Sequence, residues 1–235
     1  MPRNEKATGD ANSPDSLVFR EVNEEHWPDL DRLFESRGGP KNCWCMLWRS
    51  NSEERRAKDK SVLKAALRDR VFRGTSIGIL AYMNDQPVAW CSVAPKETYR
   101  RLGEPVDPPG GTWSIACFYV TNSLRHTGMT ARLITAAIET AQRHGAATVE
   151  AYPVDPDSPS YRFMGLVETF ADAGFTEVAR IGTRRHVMRL TLPNSSATTR
   201  QPKVSARRNV IAAAPMRLTS SPSVVTDKGT APRSR

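Results

Sequence analysis

Residues 113–145 read WSIACFYVTNSLRHTGMTARLITAAIETAQRHG, a β-like apolar run that passes through a polar loop straight into an amphipathic helix. The run is Trp113–Val120, the loop contains Gly128, and the helix spans Gly128 to His144. Met129, Leu133, Ile134, Ala137, Ile138 and Ala141 recur at helical spacing, and Gly145 ends the helix with Arg143 and His144 at its negative end. A loop that feeds a helix N-terminus aims several free N–H groups at one spot. Together with the positive end of the helix dipole, they make a place for phosphate oxygens. The Arg125-His126-Thr127-Gly128-Met129-Thr130 segment is not a Walker loop, since no Gly-Lys-Ser/Thr follows. Nor is it a dinucleotide fingerprint, since it holds one glycine.

Working outward, Leu17–Glu21 reads as a strand, and Asn23 caps a helix with Pro28 in its first turn and Trp27, Leu30, Leu33 and Phe34 on one face. Gly38-Gly39-Pro40 ends it. Asn51 with Glu54 has capping-box spacing for a helix running to Arg73, with Val62, Leu63, Ala66, Leu67 and Val71 as its stripe. Ile77–Met83 and Pro87–Ala94 form two strands around an Asn84-Asp85 hairpin turn. A long loop, Pro95–Thr112, precedes the Trp113 strand. After Gly145 come a strand at Thr148–Val154 and a helix at Ser160–Ala173 with Phe163, Met164, Val167, Phe170 and Ala171 inward. A closing hairpin, Phe175–Ile181 and His186–Leu192, completes the pattern. The element order is β-α-α-β-β-β-α-β-α-β-β, with no internal repeat.

Arg125 and Gly128 match the R/Q-x-x-G-x-G/A pyrophosphate loop of the GNAT superfamily, the acyl-CoA-dependent N-acyltransferases, which this chain resembles over residues 17–192. Thr130 departs from the pattern, where Gly or Ala is usual. Ala173-Gly174-Phe175 after the last helix is a frequent ending in that superfamily. The runs CWCMLWR, WSIACFYV and VEAYPVD look like a bacterial GNAT subgroup. The resemblance implies an α/β (α+β) GNAT fold, a mixed twisted central sheet of about seven strands flanked by helices on both faces. With composition, it divides the chain into three parts: the acetyltransferase domain at 16–193 from the resemblance, and, from composition, a disordered stretch at 1–15 and a basic low-complexity, disordered tail at 194–235.

The resemblance further implies acetyl-CoA as cosubstrate, a small-molecule or protein amine as acceptor, and direct attack of the amine on the thioester. The donor site would comprise Phe118, Tyr119 and Val120, along which pantetheine pairs like an added strand. Arg125, His126, Thr127, Gly128, Met129 and Thr130 would cradle the pyrophosphate. A backbone N–H of that strand would stabilise the oxyanion. Many relatives carry a Glu where this chain has Cys117 and a Tyr where it has Phe170, so the proton carriers must lie elsewhere. Glu150 and Tyr152, on one face of their strand by period-2 alternation, are candidates, with Tyr161 and Cys117. Each also has an ordinary packing role open to it. Trp44, Trp48 and Tyr99 fall in segments that flank the acceptor cleft in this fold.

Composition sets the remaining bounds. The chain has 235 residues, 39% hydrophobic and 25% charged, as expected of a globular protein. No apolar run has membrane-spanning length and the N-terminus lacks the apolar core of a secretory signal, which gives a cytoplasmic expectation. Eight Arg or Lys residues lie between Arg200 and Arg235 against Asp227 alone, so most of the net charge of +9 sits in the tail. The tail is the one place where nucleic acid would bind. Cys43, Cys45, Cys91 and Cys117 lack zinc-site spacing, so free thiols and no metal are expected. A homodimer is left open. The competing functions are a catalytically weak acyl-CoA sensor that keeps the fold, and a nucleic-acid-associated protein acting through its tail.

Overall fold

A computed structural model describes residues 17–57, 59–103 and 111–193. The expectations for residues 1–15, for the tail and for residues 104–110 of the long loop fall outside the described residues. Seven strands make one sheet: Val18–Glu21 (β1), Ile79–Met83 (β2), Gln86–Pro95 (β3), Thr112–Val120 (β4), Thr148–Ala151 (β5), Thr176–Ile181 (β6) and Arg185–Thr191 (β7). Their order is β1-β2-β3-β4-β5-β7-β6. Only β4 and β5 pair in parallel. A parallel pair requires a crossover, and the helix Met129–Arg143 (α4) supplies it. The other helices are Trp27–Glu35 (α1), Ser52–Arg56 (α2), Lys60–Phe72 (α3) and Val167–Asp172 (α5). No helix among the described residues is long and apolar enough to cross a membrane.

Strand alternation sends side chains to two cores. Ala89, Cys91 and Val93 of β3 pack with Met129, Leu133, Ile134 and Ala137 of α4 and with Phe170 of α5. Trp90, between them in sequence, faces the opposite core with Leu30 and Phe34 of α1, Trp44, and Leu67 and Val71 of α3. The β2–β3 turn at Asn84-Asp85 has φ of 50° and 56°, the left-handed pair that a tight hairpin demands.

One irregularity in β4 matters most. Ser92 pairs with Cys117, but Val93 pairs with Ile115, so Ala116 is an extra residue in the strand. A bulge of this kind shifts the side-chain parity. Trp113 and Ile115 face α4 before it, and Phe118 does so after it, which turns Cys117 and Tyr119 to the α1 face.

Several expected elements differ. The helix read from Asn51 to Arg73 is two helices. The capping box forms, with Glu54 N–H donating to Asn51 Oδ1 at 2.8 Å, but Asp59 caps a second helix by accepting Ser61 N–H at 2.8 Å. Val62, expected on the inner stripe, is exposed. Asn23 accepts the His26 N–H at 3.0 Å, and helix α1 starts only at Trp27. The expected helix Ser160–Ala173 is a 3₁₀ turn at Arg162–Met164 followed by α5. Gly165, at φ +91°, separates the two, and Phe163 and Ala171 are exposed instead of inward.

Candidate functional site

The pairing of β4 with β5 ends at Ile115 opposite Ala151. Val154, further along the β5 segment, bridges to Leu166 and Arg185 instead. The two strands therefore part, and β4 from Ala116 to Val120 has no strand on that side among the described residues. The gap opens into a cavity of about 820 Å³, floored by Phe118, Tyr119 and Val120 and closed at one end by the start of α4.

That end is built from backbone. Gly128 takes φ +79° as the N-cap of α4, and no side chain caps the helix. The first bond inside the helix runs from Arg132 N–H to Gly128 O at 3.3 Å, so among the described residues the N–H groups of Met129, Thr130 and Ala131 are its unpaired first turn. All three residues line the cavity, as do Arg125 and His126. Arg125 Nε–H donates back to Val120 O at 3.3 Å, folding the loop over the end of β4. Of the nine expected donor-site residues, eight line this cavity. Thr127 does not, and its hydroxyl donates to Leu124 O at 2.8 Å. A Cβ on Gly128 would meet nothing within 4 Å, so a larger side chain there extends into open space at the mouth of the helix.

The opposite wall consists of side chains. Cys43, Cys45, Leu47, Trp48 and Cys117 line it. Trp44 and Cys45 both have left-handed backbone, at φ 47° and 53°, a conformation that bulky residues hold only when packing imposes it. Trp44 supplies that packing. It stacks on Trp27 at 5.8 Å and tilts on Phe34 at 5.2 Å, each aromatic pair adding about 1 kcal/mol beyond burial. Trp44 is thus a core residue, not part of the cleft wall. Trp48 reaches the cavity, its ring tilted against Tyr161 at 5.9 Å.

Behind this wall lies Arg49, 1% exposed. Its guanidinium donates to Thr98 Oγ1 (3.0 Å), Ile77 O (2.7 Å), Ser92 Oγ (3.0 Å) and Tyr99 OH (2.7 Å), and it lies 4.0 Å above the Tyr99 ring. No carboxylate pairs with it among the described residues. Tyr99, read as a cleft residue, belongs to this buried network and does not line the cavity. An arginine cannot shed its proton, so its charge draws on neighbouring acids. Cys45 responds. The Cys117 thiol hydrogen-bonds its sulfur, burial opposes ionisation, and Arg49, Trp90 and Ser92 add further support, lowering Cys45 to about 6. Trp90 Nε1–H donates to Cys45 Sγ at 3.3 Å. Cys117 moves the other way, raised by its bond to Cys45 and by burial.

Glu150 occupies a different environment. It is fully buried, and both oxygens are committed. Lys96 Nζ (2.6 Å) and Tyr152 OH (2.7 Å) meet Oε2, while Arg189 Nε (2.8 Å) and Nη2 (2.7 Å) grip Oε1. Burial alone would raise its carboxyl, but the hydrogen bonds from Lys96, Tyr152 and Arg189 outweigh it and hold the group below its ordinary value. Burial, and then the Glu150 charge, push the Tyr152 phenol upward. Neither residue lines the cavity, and Tyr161 meets it through Trp48 and Phe163. Of the four expected proton carriers, Cys117 alone reaches the cavity wall. Cys45 and Cys43 beside it were read from sequence only as free thiols. The signal for Cys45 is Arg49 four residues on, a cation that closes the apolar run Cys43–Trp48.

A family model described as the acetyltransferase (GNAT) family matches residues 41–165. Among solved structures, the chain is similar to the PaiA N-acetyltransferase of Thermoplasma acidophilum in complex with coenzyme A. That match has 12% identity and TM-score 0.48, covering 75% of this chain and 99% of the other. It is similar to a GCN5-related N-acetyltransferase from Kribbella flavida (16%, TM-score 0.49, 77% and 100%). It is also similar to YncA of Salmonella typhimurium with its cofactor acetyl-CoA (14%, TM-score 0.46, 77% and 97%). No curated protein matches the sequence.

Proposed function

The chain belongs to the acetyltransferase (GNAT) family, and on that premise we propose that it transfers an acetyl group from acetyl-CoA to a primary amine by direct attack. The observation that carries this reading is the meeting of two backbone features in one cavity: the uncapped N-terminus of α4 behind Gly128, and the unpaired edge of β4 from Ala116 to Val120. The first turn of α4 receives the pyrophosphate. The β4 edge receives the pantetheine amides as a strand would. This run places the thioester by the Ala116 bulge, where a β4 N–H polarises its carbonyl, and the Cys45–Trp48 wall faces the incoming amine. Residues 16–193 form the acetyltransferase domain in this reading, and a cytoplasmic setting suits its cosubstrate.

The proton carriers follow from what reaches the cavity. Glu150 and Tyr152 serve the sheet, since a carboxylate held by two cations is a poor base. The thiol pair Cys45 and Cys117 stands at the acceptor end in their place. The test is release of free coenzyme A thiol on mixing the protein with acetyl-CoA and a panel of primary amines, with mass spectrometry of the amine. Amine-dependent release with an acetylated product supports transfer. Tight acetyl-CoA binding without any product favours a second reading, a sensor that binds acyl-CoA without turnover. Phe170 favours that reading, being fully buried between Phe118 and Phe175 with no hydroxyl to protonate a leaving thiolate. The nucleic-acid reading rests on residues 194–235 alone, and a steep salt dependence of binding that vanishes with the tail would mark it.

A further inference from the structure

Two cysteines from distant parts of the chain meet on the cleft wall, and beyond the proton-carrying role that the acetyl-transfer reading gives them, two neighbouring thiols can also be oxidised to a disulfide. Cys45 comes from the turn before Arg49, Cys117 from β4 just after the bulge, and both line the cavity while remaining under a tenth exposed. The bulge is what brings them together. Without the extra Ala116, Cys117 would face α4 with Trp113 and Ile115. The left-handed backbone at Trp44 and Cys45 contributes from the other side by turning Cys45 into the same core. Cys45 and Cys117 then pack in one buried cluster, where each shifts the other's ionisation, and the Trp90 indole N–H donates to the Cys45 sulfur at 3.3 Å. Arg49, buried and lacking a carboxylate partner among the described residues, lies behind it. A buried cation favours an anion nearby, and its field favours the thiolate of Cys45 on the cavity wall.

We propose that Cys45 and Cys117 form a peroxide-reactive dithiol on the wall of the cleft, with Cys45 the attacking sulfur and Cys117 the resolving one. Small hydroperoxides enter through the cavity. The Cys45 thiolate attacks one peroxide oxygen, the O–O bond breaks, and hydroxide leaves. The sulfur has given two electrons and is a sulfenic acid. The Cys117 sulfur then attacks the Cys45 sulfur. Its proton joins the departing hydroxide as water, and an S–S bond remains. In sum, two thiols and one hydrogen peroxide become one disulfide and two waters. The oxidised form ties the Cys43–Trp48 segment to β4 across the acceptor end of the cleft and removes the anion beside Arg49. The other thiols are placed differently. Cys91 faces the opposite core, and Cys43 is exposed, with burial of its sulfur and the Cys45 charge raising its pKa.

The inference does not depend on acetyl-CoA binding, and its test reads the thiols directly. The reduced full-length protein is exposed under native conditions to equimolar hydrogen peroxide. It is then blocked with N-ethylmaleimide in denaturant, digested and mapped by mass spectrometry. The expected result is a peptide pair linked through Cys45 and Cys117, near-complete loss of both free thiols, and intact blocked thiols at Cys43 and Cys91. Cys117→Ser should leave Cys45 as a sulfenic acid that dimedone labels. Cys45→Ser should leave Cys117 reduced. Oxidation that falls first on the exposed Cys43, or that leaves Cys45 and Cys117 reduced while another thiol reacts, overturns the proposal. Acetyl-CoA titration of the same reduced sample separates this outcome from the fate of the donor-site reading.

Discussion

The two walls of the cleft are built on different principles. The α4 wall is main chain: a left-handed Gly128, three unpaired N–H groups and the free edge of β4. The Cys45 wall is side chain: a thiol pair and Trp48, backed by a buried guanidinium that gathers Thr98, Ile77, Ser92 and Tyr99 around itself. Main-chain sites tolerate substitution, because most residue types present the same N–H groups. Side-chain sites tolerate little, because each partner leaves a buried polar group unmet when removed. The first wall therefore suits a ligand shared across a whole family, and the second suits whatever is particular to this chain.

The largest effect should come from Gly128→Glu, which breaks the main-chain wall where any side chain strains the left-handed backbone and this one adds a negative charge. Acetyl-CoA should give no thermal stabilisation of the variant. A shift equal to wild type would place the phosphate site elsewhere. Glu150→Gln should follow, costing about 3 kcal/mol by leaving Lys96 and Arg189 without their buried anion. Because its carboxyl is lowered in the fold, this contribution is complete above the ordinary carboxylate range and is lost as pH falls through the lowered value. Unfolding curves of variant and wild type should thus converge in acid and stand apart at pH 7. A variant as stable as wild type at pH 7 would remove the structural role assigned to Glu150.

Gly165→Ala sharpens the comparison from between the walls. Its Cβ would lie 2.8 Å from Phe170 Cε2 at φ +91°, so a loss of about 2 kcal/mol is expected by chemical denaturation. No loss would mean that α5 shifts freely. Smallest is Trp90→Phe, which removes one N–H from Cys45 and keeps the ring. Iodoacetamide labelling of Cys45 should titrate near pH 6 in wild type and at a higher pH in the variant, lowering the rate at pH 6 by about threefold, less than one pKa unit. Unchanged labelling would assign the low value to Arg49 and Cys117 alone.

How much of this was legible follows the same division. The β4–loop–α4 unit could be read because its signals are local: a β-run, one glycine, a helical stripe. The hairpin at Asn84-Asp85 and the capping box at Asn51 are local too. The Cys45 wall was not legible, since Cys45, Arg49, Trp90 and Cys117 meet only after the sheet is assembled. The bulge at Ala116 decides which face Cys117 takes, and nothing in the alternation of WSIACFYV marks it. Glu150 is a candidate base by its strand face alone, because Lys96, 54 residues away, and Arg189, 39 away, come to hold it only in the assembled sheet. The long final helix failed at Gly165, whose left-handed turn outweighs the apolar stripe around it.

The most direct test of the account is calorimetric titration of the full chain with acetyl-CoA, with acetyl-pantetheine alongside. A phosphate site at the start of α4 with pantetheine on the β4 edge predicts saturable one-to-one binding of acetyl-CoA, and much weaker binding once the phosphates are gone. Equal affinity for the two, or no heat from acetyl-CoA at all, would contradict it.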